Sequence, residues 1–190
     1  MLLLIVSIIV FLGIHLLPTF TRAREGLVEK FGENGYKVFF SVASILGFIL
    51  LVYGFANAPI VPIWTPPIWM RHLAMLLMLP AFILLVAAYV PGRIKAVVKH
   101  PMLTAVKTWA LAHLLANGDL AGIILFGSFL AYAVYDRIAL KHRQPTELIE
   151  TPGRGSPRND IIAVVLGIVF YVVFLIWLHP LLIGKAVVPM

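Results

Sequence analysis

The chain has 190 residues, 62% of them hydrophobic and only 12% charged, with a formal net charge of +7. A soluble domain carries about 25% charged residues; here the apolar side chains fall in long blocks, which excludes a water-soluble globular enzyme and indicates an integral membrane protein. The basic residues lie between those blocks, as positive-inside bias requires, so no nucleic-acid partner is implied, and the absence of cysteine excludes disulfides, thiolate catalysis and cysteine metal sites.

Residues 1–20 form a first apolar block, close to the roughly 20 residues that span a bilayer. It has no basic start and no small-residue cleavage site behind it, so it reads as a membrane helix rather than a removed signal peptide. Residues 22–31, followed by Gly32, read as a short surface helix with a glycine stop. Residues 38–58 are the second span, where Ala43 and Gly47 offer a small-residue packing face. The Pro- and Trp-rich stretch 60–69 reads as a loop at headgroup level. Residues 68–90 are the third span, and Pro80 predicts a kink in it. Residues 104–135 are too long for one helix and are broken by Asn117-Gly118-Asp119. A mobile Pro/Gly/Arg-rich linker is expected over 144–160 and a last span over 161–183.

The charges fix the helix count. Arg22, Arg24, Lys30 and Lys37 follow the first block, and Arg93, Lys95, Lys99 and Lys107 follow the third. Arg137, Lys141, Arg143, Arg154 and Arg158 precede the last. Two segments joined at Asn117-Gly118-Asp119 place all 13 on one side, expected to be cytoplasmic, and leave only Arg71 and Lys185 on the other. The expected fold is therefore an all-α polytopic transmembrane helical bundle of about six helical segments, with both termini outside. From Lys107 to Asn117 is 11 residues, about 16 Å of helix, so the fourth segment is short or re-entrant. A turn at that depth survives only if it is packed in protein or wetted by a cavity.

Six histidines are the candidate chemistry. Distance from flanking charges puts His15 and His113 about 10 Å inside the basic side, and puts His72 and His179 near the other. His100 and His142 fall in basic loops. Two histidines on facing helices can hold haem iron axially, and Arg22, Arg24 or Lys107 could pair with haem propionates near the interface. His72 and His100 are secondary candidates. The competing reading of each intramembrane histidine is a hydrogen bond to a neighbouring helix, and Asn117 and Asp119 read as turn and cap residues. No carboxylate pair, nucleophile elbow, phosphate loop or H-E-x-x-H is present, so hydrolase and kinase chemistry has no support.

Several runs resemble the NnrU family of membrane proteins, most closely over residues 1–143. They are G-I-H-L-L-P from Gly13, F-G-E-N-G-Y-K-V-F-F-S from Phe31, W-T-P-P-I-W-M-R-H-L-A from Trp64, A-A-Y-V-P-G-R-I-K from Ala87, K-H-P-M-L-T-A-V-K-T-W-A-L-A-H-L-L-A-N-G-D-L-A from Lys99, and L-F-G-S-F-L-A-Y-A-V-Y-D-R from Leu125. The resemblance implies a single domain over residues 1–190 in the bacterial inner membrane, needed for nitrite and nitric oxide metabolism in denitrification. It also implies a partner in a membrane nitric oxide reductase, for which the chain would be an accessory factor, or in a polyene lipid. The family includes zeta-carotene isomerase, a haem b enzyme whose ligand histidines would fall on His15 and His113. That isomerase has a cysteine where this chain has Ala110, so its thiolate ligand exchange does not carry over while bis-histidine haem does. Lys99-His100-Pro101 is also similar to the R-H-P loop of membrane isoprenylcysteine methyltransferases, without the rest of that motif.

Overall fold

A computed structural model describes residues 1–142, 155–184 and 187. Helix α1 (Leu2–Leu16) runs until Pro18, where a short 3-10 turn, Leu17–Thr19, reverses the chain. Helix α2 (Thr21–Ala56) is two arms meeting at Gly32, whose φ of 72° and ψ of 164° no helix can contain; this is the expected glycine stop, because an L side chain is strained at that φ. The charges cluster around the break, where Arg24 of the first arm and Lys37 of the second reach Glu33 at 3.4 and 3.6 Å. Both pairs are exposed and add at most about 1 kcal/mol. The second arm packs along α1, with Gly47 meeting Phe11 and Ile14 and Gly54 meeting Leu4 and Ser7.

Helix α3 (Ile68–Ala87) remains one continuous helix through Pro80. After a corner comes α4 (Arg93–Val98), then α5 (Pro101–Ala116) with its proline in the first turn, where its missing N–H is harmless. Helix α5 has 16 residues, about 24 Å, and is shorter than any of the long apolar helices beside it. Helix α6 (Leu120–His142) returns antiparallel to it. Helix α7 (Pro157–Val173) begins before the expected residue 161, because Ser156-Pro157 is a helix start and Asn159 and Asp160 have partners: Asn159 donates to the Pro91 carbonyl at 2.7 Å and Asp160 accepts from the Ile94 N–H at 3.0 Å. The linker expected over 144–160 lies outside the described residues as far as residue 154; so do Arg143, Arg154 and Lys185. The last span passes through a π-helical stretch, Phe174–Leu178, into α8 (His179–Ile183). Pro180 removes the N–H that Ile176 would use in an α-helix, which accounts for the change of register just before it.

The helices pack in the order α2, α1, α6, α5, α3, α7. One core, built from Leu4, Ile8, Leu12, Leu51, Ala110, Ala121, Leu125 and Phe126, joins α1, α2, α5 and α6. The outward faces are apolar: Ile45, Leu46 and Ile49 on α2 and Ile161 and Val165 on α7 are exposed, a distribution a bilayer accommodates and water does not. Among the described residues five helices, at 2–19, 21–56, 68–87, 120–141 and 157–183, are long and apolar enough to cross a membrane. The protein is an all-α membrane bundle.

The alternation of directions gives the bundle a basic end and an opposite end. The basic end holds the α1–α2 corner, α4, the α6 C-terminus and the α7 N-terminus, and every described cation except Arg71 belongs to it. At the opposite end the Asn117-Gly118-Asp119 turn is bound to the loop before α3. Ile63 and Trp64 N–H donate to the Gly118 carbonyl at 2.8 and 3.1 Å, and Leu120 N–H donates to the Val61 carbonyl at 2.8 Å. Gly118 lies so close to the Trp64 carbonyl that a Cβ there would collide with it. The turn is thus packed in protein, which is what its depth requires.

Candidate functional site

A cavity of about 750 Å³ lies between α3, α5 and the α7–α8 span, within the 300–1,000 Å³ range of ligand pockets. Its walls are mostly apolar, with methionines and aromatic rings. The polar groups on them are Thr65 from the loop before α3, Arg71 from α3, His113 from α5, Asn117 and Asp119 from the turn, and Tyr171 and His179 from the last span. Asp119 is already used: its Oδ1 accepts the Gly122 N–H at 2.8 Å and caps α6. Asn117 donates to the His113 carbonyl at 2.8 Å, and Tyr171 Oη donates to the Met75 carbonyl at 3.1 Å. These contacts make Asn117 and Asp119 turn and cap residues, as their sequence context implied.

His113 is positioned by its own helix and by α6. Its Nδ1 lies 2.8 Å from the Trp109 carbonyl one turn back. A carbonyl only accepts, so Nδ1 carries the proton and the Nε2 lone pair is left for a ligand. The ring stacks on Phe126 at 4.5 Å and sits 5.2 Å from Trp109, which limits its rotation. This is how metal-binding imidazoles are commonly oriented, with one nitrogen fixed and the other presented.

His15 makes the same local bond, Nδ1 to the Phe11 carbonyl at 2.8 Å, but in other surroundings. Its ring lies among Phe11 at 4.2 Å, Phe40 at 5.6 Å and Tyr132 at 6.4 Å, and it does not line the cavity. The two histidines meet α6 at Tyr132 and Phe126, six residues apart, about 9 Å along the axis. Phe11, Phe129 and Trp109 form a line of ring contacts between them. Near His15, on one side of α2, Tyr36 Oη and Ser44 Oγ are buried with no hydrogen-bond partner among the described residues.

The depth assigned to His113 from Lys107 needs correcting. Helix α5 starts at Pro101, so Lys107 lies within it and His113 is three residues from its other end. His113 therefore stands with Arg71, His72 and His179 near the end opposite the basic one. A lysine two turns inside a helix reaches the interface through its long aliphatic stem, so it does not mark the helix start.

The remaining candidates are dispersed. Arg22, Arg24 and Lys107 do not line the cavity; Arg24 pairs with Glu33 and lies 5.5 Å over the Tyr36 ring. His72 is exposed and off the cavity wall, although its neighbour Arg71 is on it. His100 precedes α5 at the basic end, where burial and then Arg137 hold its pKa below the usual histidine value, with Lys99 and Lys107 adding to this and Asp136 opposing it. The side chain of His142 is outside what is described. Among the described residues no group of three or more His, Cys, Asp or Glu is arranged to hold a metal ion. Sequence reasoning gave His179 little weight and Arg71 none, though Arg71, Met75, Met78, Phe82 and Leu85 follow helical spacing along one side of α3.

No curated protein and no solved structure matches the chain. The NnrU protein family matches residues 3–187, which include every helix of the bundle and both walls of the cavity, and the chain belongs to that family.

Proposed function

We propose that this NnrU protein binds haem b in the cavity between α3, α5 and α7, with His113 as an iron ligand, and that it acts in nitrite or nitric oxide metabolism in a bacterial inner membrane. The observation that carries the reading is His113 itself. It stands on the wall of a cavity of suitable volume, with its Nδ1 committed to the Trp109 carbonyl and its Nε2 available. His179, from the last span, is a second imidazole lining the same cavity, and Arg71 is a cation suited to an acidic edge. When bound, haem would supply an iron able to take up small ligands or electrons. The chain's own part is to orient the imidazole, stack it on Phe126 and surround the site with apolar groups that exclude water.

The family resemblance implies His15 as a second ligand, but its ring is enclosed by Phe11, Phe40 and Tyr132 and is off the cavity, so the proposal rests on His113 alone. Positive-inside bias makes the basic end cytoplasmic and puts the N-terminus outside. Protein purified from membranes should contain b-type haem by the pyridine haemochrome assay, and His113→Ala should lose most of it. Colourless wild-type protein that takes up no added haem would overturn the reading.

A second reading, a haem-dependent cis–trans isomerase of a polyene, is favoured by the length of the apolar cavity. It would be supported by conversion of a cis-polyene by the haem-loaded protein. If His113→Ala instead restores full nitric oxide turnover to a strain lacking the gene, the protein is a non-catalytic accessory factor for a nitric oxide reductase.

A further inference from the structure

The cavity is elongated and lies in a cleft. The lining residues of α3 run from Arg71 through Met75, Met78 and Phe82 to Leu85, a stretch of 15 residues whose ends stand about 21 Å apart along the helix. Helix α3 packs closely on both α5 and α7, whereas α5 and α7 do not pack substantially on each other. The cavity is thus floored by α3 and bounded on two sides, and its fourth side lies between two membrane helices. Polarity along it is uneven. Arg71 stands at one end, and from Met75 to Leu85 the α3 stripe is hydrocarbon and thioether. Among the described residues Arg71 has no ion pair or hydrogen bond, and the one carboxylate lining the cavity, Asp119, is held by the Gly122 N–H.

A cation at the mouth of a long apolar groove matches a ligand with an acidic head and a hydrocarbon body. We infer that the cleft binds a long-chain amphipathic anion drawn from the bilayer between α5 and α7, its acidic group on Arg71 and its chain lying along α3 toward Leu85. The arginine compensates the head group's loss of water, and the methionines adapt to the chain's contour. The inference stands apart from haem binding, because it concerns the head-to-tail polarity of the cleft and the route into it rather than His113.

The test uses the full-length protein in lipid nanodiscs and cis-parinaric acid, a fluorescent polyene carboxylate, with its methyl ester as the neutral counterpart. Trp64 and Trp109 line the cavity and serve as energy donors. Saturable energy transfer above that of empty nanodiscs is expected for the acid. Arg71→Gln should weaken acid binding about tenfold while changing ester binding about twofold or less, and Arg71→Lys should recover part of the loss. Arg71 is exposed, so its substitution leaves the fold intact. The absence of saturable transfer, or equal binding of the acid by wild type and Arg71→Gln, would overturn the inference. Added haem should displace the probe. Probe binding that excess haem leaves undisturbed would keep this inference and count against the haem reading alone.

Discussion

His15 and His113 make the same bond, Nδ1 to the carbonyl one turn back at 2.8 Å, and both rest on α6. The difference is in what lies beyond Nε2. Around His15 the chain has placed Phe11, Phe40 and Tyr132, so the imidazole is one more ring in an aromatic nest shared by α1, α2 and α6. Around His113 one side is closed by Trp109 and Phe126 and the other is the cavity. Identical local chemistry thus gives a packing residue in one region and a binding candidate in the other, and the packing of neighbouring helices decides which.

Three substitutions probe the cavity side of that contrast and the basic end set against it. The largest effect is expected for Gly118→Val. A side chain there meets the Trp64 carbonyl, so the turn that closes the cavity must move away from the loop before α3, at about 3 kcal/mol. A marked fall in thermal midpoint in detergent checks this, and an unchanged midpoint would mean the turn and loop are not packed as described. Asp119→Ala removes the cap on the Gly122 N–H and should destabilise by about 1 kcal/mol, without the rearrangement expected of the valine.

The smallest effect concerns the basic end. Because burial and Arg137 lower the pKa of His100, the stability linked to it is present above the ordinary, unfolded histidine value. It is lost as pH falls through the lower folded value. Arg137→Gln should raise the His100 titration midpoint seen by NMR and lessen the acid sensitivity. Because burial is the larger cause, some depression should persist.

Much of this architecture was legible in the sequence. Apolar block lengths gave the spans, the distribution of basic residues required a break at Asn117-Gly118-Asp119, and Gly32 marked the one interruption inside α2. The depth of His113 is set by His100-Pro101, which marks the start of α5, and not by Lys107, which lies inside the helix. The contribution of Arg71 and His179 was harder to see. In helices apolar on every side, periodicity does not distinguish a face turned to lipid from one turned to a cavity, so only the packing of α3 against α5 and α7 identifies the wall. The His179 register depends further on the π-helical stretch before Pro180, which shifts every side chain after it.

The most direct measurement is a haem titration of wild type, His113→Ala and His15→Ala followed at the Soret band. A loss of affinity of about tenfold or more is expected for His113→Ala, against a change of about twofold or less for His15→Ala. Full binding by His113→Ala, or its loss only in His15→Ala, would contradict the assignment of the cavity wall as the ligand site.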